Sequence, residues 1–309
     1  MGWLMQRIFS LLIFVVLCNV LHAQSRVLVA VTTYPLYEAV ARVGGDTVDC
    51  HKILPFGSDI HTFRPTPKTM ATVSRADLFI YSGAGLEPWS EQLLINLSER
   101  TKAVDMSSFV TLLHHEEEHG HREEEAMHEG HDHGGTDPHY WLDIDNMIAV
   151  TRKVETLLSA LQPEHSERYR SNAAIFEKEL LALKQAYTER LSHCSQHILV
   201  SNHDAFGYLA HANGFEPLAV TGLSPDQQPS AKTMARVIRL VRDEGIKTLF
   251  FEAFVNSGVA EALAAETGAR VDSLQPLANL SADEAASNET YITIMQKNLA
   301  KIAEALECH

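Results

Sequence analysis

Cysteine is scarce in this chain: four among 309 residues, too few for a small disulfide-stapled scaffold. Positive charge is also in short supply. Twenty-five Lys and Arg face 40 Asp and Glu, for a net charge of −15, which argues against nucleic acid as a partner. Beyond residue 17 no apolar run approaches the ~20 residues of a membrane-spanning helix. No Gly-x-Ser-x-Gly sequence offers a hydrolase nucleophile elbow. What remains is ordinary globular material, 45% hydrophobic, long enough for about two domains at ~150 residues each. The unusual abundance is histidine, at 17 residues. Seven of them, His114, His115, His119, His121, His128, His131 and His133, share residues 114–133 with eight carboxylates and one Arg, so this tract alone carries −7.

Residues 1–23 have the layout of a signal peptide. Arg7 precedes an apolar stretch, 8–17, interrupted only by Ser10, and Leu21-His22-Ala23 offers a small residue for cleavage. The mature chain is then expected to start near Gln24 in an oxidising, exported compartment. An uncleaved anchor helix is one alternative. A lipoprotein anchored at Cys18 is another, disfavoured because Leu17 stands where a small residue is needed. Cys50, Cys194 and Cys308 remain, an odd number that allows one internal disulfide. Cys194 with Cys308 is the preferred pair because both lie in the second half; three unpaired core thiols are the alternative.

Strand and helix patterns alternate through both halves. Apolar strands are expected at 26–34, 47–55, 76–83 and 102–106, separated by helices at 35–43, 66–75 and 86–100. The second half repeats the plan, with strands at 197–201, 217–221, 247–252 and 269–274. Its helices are expected to open at Asp204 and to cover 231–244, 257–267 and 282–307. Near-continuous apolar strands joined by helices predict parallel βαβ units. The fold class is therefore α/β, with two lobes, each a small and mostly parallel sheet flanked by helices. Between the lobes, residues 163–191 open with Pro and place Tyr169, Ala173, Phe176, Leu180, Leu183 and Tyr187 at helical spacing. That predicts one long helix, a strut between a first lobe at 24–162 and a second at 192–309. Residues 114–136 lack apolar periodicity and read as an insertion in the first lobe.

Ligands of open α/β sheets bind beyond the carboxyl ends of strands. Four potential metal ligands fall at such ends: His61, His139, His203 and Asp272. A His after a strand is usually a hydrogen-bonded loop residue, but three of them with an Asp, two ligands from each lobe, would close a cleft around one ion. Three imidazoles and a carboxylate suit tetrahedral zinc, whereas manganese favours more oxygen donors. Glu252 also ends a strand and rivals Asp272. Asp59 and Asp137 could each orient a metal-bound His, or simply cap a turn. Asp204 reads as a helix cap or first-turn acid.

These segments resemble a known family. The stretches GSDIHTFRPTP (57–67), DPHYWLD (137–143), SNHDAFGYLA (201–210), GLSPDQQPSA (222–231) and FFEAFVNSGVAEALAAETGAR (250–270) are similar to those of the zinc/manganese solute-binding proteins of ABC uptake systems, the ZnuA/TroA type or cluster A-I. The resemblance implies two lobes tied by a backbone helix, with His61, His139 and His203 as ligands and Asp272 as the terminal one. Manganese members tend to carry Glu where this chain has His203, and zinc members often carry a His- and acid-rich loop before the second ligand. Gln228 stands where an acidic residue is expected. The implied function is capture of Zn2+ in the periplasm and delivery to membrane ABC permease subunits by a monomeric protein, with the loop histidines as auxiliary binders. A periplasmic zinc chaperone is a further candidate partner. A manganese or iron carrier is the alternative cargo, and a zinc-dependent hydrolase the alternative of another class.

Overall fold

The computed structural model describes residues 26–114, 135–222, 228–252 and 257–309. The expected signal peptide, and His115, His119, His121, His128, His131 and His133 of the acidic tract, lie outside the described residues. The first lobe is built on β1 (Val27–Val31), β2 (Val48–Lys52), β3 (Leu78–Tyr81) and β4 (Lys102–Asp105). They form a parallel sheet in the order β2-β1-β3-β4. The second is built on β5 (Ile198–Ser201), β6 (Glu216–Ala219), β7 (Thr248–Phe250) and β8 (Arg270–Asp272), in the equivalent order β6-β5-β7-β8. Each sheet reverses its winding beside its first strand, and such a reversal leaves a crevice at the strands' carboxyl ends.

Helices α1 (Tyr34–Gly44), α2 (Pro67–Arg75) and α3 (Ser90–Ile95) connect the first sheet. Pro lies in the first turns of α1 and α2, and the Thr66 side chain caps α2 through the Thr69 N–H. Helix α3 is much shorter than the periodicity of 86–100 predicts. Glu87 and Trp89 there are buried in the first lobe, tied to loops at the sheet's edge.

Helix α4 (Ile144–Leu161) leads into the long helix α5 (Ser166–Arg190), about 38 Å at 1.5 Å per residue. The buried stripe of α5 is Tyr169, Ala173, Phe176, Leu180, Leu183 and Tyr187, as the spacing predicts. It packs against α1 and α4 of the first lobe and against the last helix, α10. In the second lobe α6 (Gly207–Asn213) opens three residues later than expected. Its cap is Phe206, with no side-chain bond, so Asp204 is not a helix cap; its N–H donates to the Gly222 carbonyl instead. Helices α7 (Ala231–Asp243) and α8 (Ser257–Thr267) follow. The expected closing helix divides into α9 (Ala282–Ala286) and α10 (Tyr291–Ala305). Asn288 adopts φ 55° between them, and Thr290 starts α10 with a capping box.

The two lobes are not two independent cores. Residues 276–280 of the second half run along the first lobe: the Trp141 indole N–H donates to the Pro276 carbonyl (2.7 Å), the Tyr34 N–H to Ala278 (3.0 Å) and the Gly57 N–H to Leu280 (2.8 Å). The Asn279 amide donates to the carbonyls of Pro55 and Ser58. Leu277, Leu280, Tyr291, Ile294, Met295 and Ile302 belong to the same buried cluster as β1 and β3. Among the described residues, one side of the second sheet has its own core, around Val200, Val237, Val241, Leu249 and Leu263.

Cys194 and Cys308 are joined in a disulfide, and Cys50 is free. The bond ties the chain's end to the segment leaving α5, where the His309 N–H also donates to the His193 carbonyl. A crosslink spanning 114 residues restricts the unfolded ensemble. Cys308→Ser is therefore expected to lower unfolding stability by about 2–4 kcal/mol, read as a lower urea midpoint. Reductant should bring the wild type down to the variant. Equal midpoints without reductant would count against the crosslink.

Candidate metal centre

His61 lies in the loop after β2. The Asp59 carboxylate accepts the His61 backbone N–H (3.0 Å) and the Thr62 hydroxyl, which folds the turn that presents the ring. The Trp89 indole holds the same turn by donating to the Ile60 carbonyl (2.9 Å). His139 follows β4 and the acidic tract, immediately before the buried Tyr140 and Trp141. His203 follows β5, where the Ser201 hydroxyl donates to its carbonyl (3.0 Å).

These three side chains, from two sheets, converge. One nitrogen from each lies within 4.8 Å of the other two. The ring centroids are 5.7 Å apart for His61 and His139, 5.3 Å for His139 and His203, and 6.3 Å for His61 and His203. His139 and His203 are buried, at 1% and 2% exposure. Asp137 Oδ1 accepts both the His139 backbone N–H (2.9 Å) and its ring Nδ1–H (2.8 Å). That contact assigns the proton to Nδ1 and leaves the Nε2 lone pair for a cation. At His203 the Glu252 carboxylate makes an ion-pair contact with Nδ1. Burial alone would push the His203 imidazolium down. Glu252, with Asp59 and Asp204, outweighs it and raises the His203 pKa above the usual value.

Asp272 does not join this group. Its carboxylate accepts from Lys301 Nζ (2.8 Å) and the Ser273 N–H (2.7 Å), and these contacts hold it below the usual carboxylate range despite partial burial. The expected fourth ligand is thus engaged by a cation in this geometry, whereas Glu252 contacts His203. His114, at the edge of the acidic tract, pairs with Thr136 in an antiparallel bridge, its Nδ1 3.1 Å from the Thr136 hydroxyl.

Sequence reasoning missed the polar floor under the first sheet. Glu87 is 3% exposed and accepts from the Thr32 hydroxyl and the N–H groups of Ser82 and Gly83. It fixes the carboxyl ends of β1 and β3, but it lies in a segment read as a plain helix, with no pattern to single it out. Burial raises its pKa to about 7 even against those three donors.

The fold and the site together define a two-lobed α/β protein with a three-imidazole centre between its lobes. Residues 29–305 match the family model described as "ZnuA: Zinc-uptake complex component A periplasmic". The chain belongs to this family. It is 34% identical over 301 residues to the zinc-binding lipoprotein AdcA of Streptococcus pneumoniae serotype 4, covering 96% of this chain and 59% of that protein. It is 30% identical to the high-affinity zinc uptake system protein ZnuA of Bacillus subtilis, covering 90% of this chain and 87% of that one. The Zn(II)-bound ZnuA-like domain of S. pneumoniae AdcA superposes with a TM-score of 0.76 at 31% identity, covering 91% and 99% of the two chains. The chain thus spans about three fifths of the AdcA proteins it matches.

Glu87 makes stability depend on pH. Its folded pKa lies above its unfolded value near 4.5, so the native state binds the extra proton. Its contribution is most favourable below pH ~4.5 and is lost as pH rises to about 7, a change on the order of 3 kcal/mol. Relative to Glu87→Gln, wild-type urea midpoints should fall between pH 4.5 and 7.5. A constant difference between the two proteins would show that Glu87 does not titrate in this range.

Proposed function

We propose that the protein binds Zn2+ between its lobes through His61, His139 and His203, and hands it to a membrane ABC permease in zinc uptake, acting as a periplasmic monomer. The observation that carries this reading is the convergence of three imidazole nitrogens from two sheets, two on buried rings turned by carboxylates. Nitrogen donors suit zinc better than manganese, which is served by oxygen-rich sites. The zinc-binding names of the relatives support the same cargo. The acidic tract, with its seven histidines, then serves as an auxiliary collector. Its −7 charge raises the local cation concentration, an effect that salt screens.

A manganese or iron carrier differs only in cargo and is separated by metal competition on protein purified without a tag. A zinc hydrolase is separated by assay. The string His115-Glu116-Glu117-Glu118-His119 has H-E-x-x-H spacing, and that motif needs a helix to bring both rings to one face. It lies in the acidic tract, outside the described residues. Hydrolysis present in full-length protein and absent after deletion of 114–133 would favour the enzyme.

Replacing His61, His139 or His203 with Ala is expected to weaken zinc binding by at least about tenfold each. Asp272→Ala should have little effect, because that carboxylate already serves Lys301. Chelator competition measures both, and a histidine whose loss changes nothing is not a ligand. Deletion of 114–133 should leave one tight site per chain; loss of that site with the fold intact would make the tract a source of primary ligands.

Zinc needs neutral imidazoles. A His203 pKa raised above its ordinary value of ~6.5 extends proton competition upward in pH. Affinity should therefore fall steeply on going from pH 7.5 to 6.0. A flat profile over that interval would contradict imidazole ligation.

A further inference from the structure

The Tyr208 hydroxyl, at the start of α6 in the second lobe, reaches into the first lobe. It accepts from the Leu113 N–H (2.9 Å) and donates to the Asp137 carbonyl (2.8 Å). The Asp137 N–H donates to the Leu113 carbonyl (3.0 Å). A closed ring of three hydrogen bonds thus joins the two chain segments that flank residues 114–136, and its centre is a side chain from the opposite lobe. Tyr208 and Asp137 are each 1% exposed, so removing the hydroxyl would strand a donor and an acceptor where water does not replace it. Burial raises the Tyr208 pKa and keeps the phenol a donor.

The neighbouring Gly207 meets the same residue. A Cβ on Gly207 would sit 2.9 Å from Asp137 Oδ2. That oxygen is buried without a hydrogen-bond partner, while Oδ1 takes both His139 donors. The Asp137 carboxylate is therefore held from one side by His139 and limited on the other by the bare backbone at Gly207. Gly207 and Tyr208 follow His203 by four and five residues, so one short segment carries a metal-facing ring and the contacts that set the other lobe's ring.

We propose that Gly207 and Tyr208 form an interlobe key: they position Asp137, and through it His139, against His203. Both are positioning residues that act through Asp137. This rests on the reading of the three histidines as the zinc site. The key makes the geometry at His139 depend on the placement of the second lobe.

The test uses full-length protein. Zinc affinity is measured by chelator competition, and Co2+ serves as a probe whose visible absorption reports the geometry of its donors. Tyr208→Phe is expected to lose at least about tenfold in zinc affinity, the usual cost of removing a partner behind a ligand, and to change the Co2+ spectrum. Gly207→Ala should do the same by displacing the carboxylate, and it carries the test if Tyr208→Phe fails to fold by circular dichroism. Tyr187→Phe is the control, because it removes an equally buried hydroxyl bond, to the Met295 carbonyl (2.7 Å) between α5 and α10, that involves neither Asp137 nor a histidine. It should keep wild-type affinity and spectrum. Wild-type affinity and spectrum in Tyr208→Phe, or an equal loss in Tyr187→Phe, would overturn the key. If wild-type protein itself lacks a site that His139→Ala abolishes, the zinc reading fails instead, before the key is tested.

Discussion

Three imidazole nitrogens from two separate sheets must stay within 4.8 Å of one another, and much of the architecture answers that constraint. A site split between lobes is only as precise as the lobes' mutual placement. The long helix α5 would hold that placement loosely if it were the sole connection. The chain instead threads residues 276–280 along the first lobe, with backbone and Asn279 bonds to the turn that leads to His61. It also docks α10 into the first lobe's cluster, where the Tyr291 hydroxyl donates to the Trp141 carbonyl (2.7 Å). Each contact ends within a few residues of one of the three histidines.

This arrangement leaves the second lobe unequal to the first. Most of its buried apolar residues belong to the shared core, and its independent cluster is small and mostly aliphatic. Fewer buried contacts mean a lower cost of local opening. The side of the second sheet bearing α7 and α8 is thus the more deformable part of the molecule. The segment from His203 to Tyr208 lies on the other side of that division: Ala205, Phe206, Tyr208 and Leu209 pack into the large cluster. The segment bearing His203 is thus packed with the first lobe's core rather than with the smaller cluster.

The alternation of apolar strands and helices made the two-sheet plan legible, because parallel strands buried on both faces leave an unbroken hydrophobic record. The stripe of α5 was legible for the same reason, with each buried residue at helical spacing. Element ends were less so. Asn288 in a left-handed conformation interrupts a segment whose periodicity runs on, and Asp204 resembles a cap whose helix starts later. At the site, the three histidines could be found because strand ends are where such folds place ligands. The bond of Asp272 to Lys301, twenty-nine residues away in sequence, was not legible, since pattern says nothing about which cation a carboxylate meets. The 276–280 crossing and the Tyr208 contact were equally hidden: both depend on atoms brought together across the lobes.

The carboxylates beside the histidines explain how a neutral ligand set can attract a cation. Asp137 and Glu252 each occupy the Nδ1 side of a ring, and the Asp137 hydrogen bond makes the His139 ring a better donor. Their negative charge lies against the histidine rings. A cation entering the site meets an anionic field without displacing a carboxylate from its own partner. A proton can exploit the same field, and the raised His203 pKa records that competition. A cation held by these histidines would therefore compete with protons for the same nitrogens.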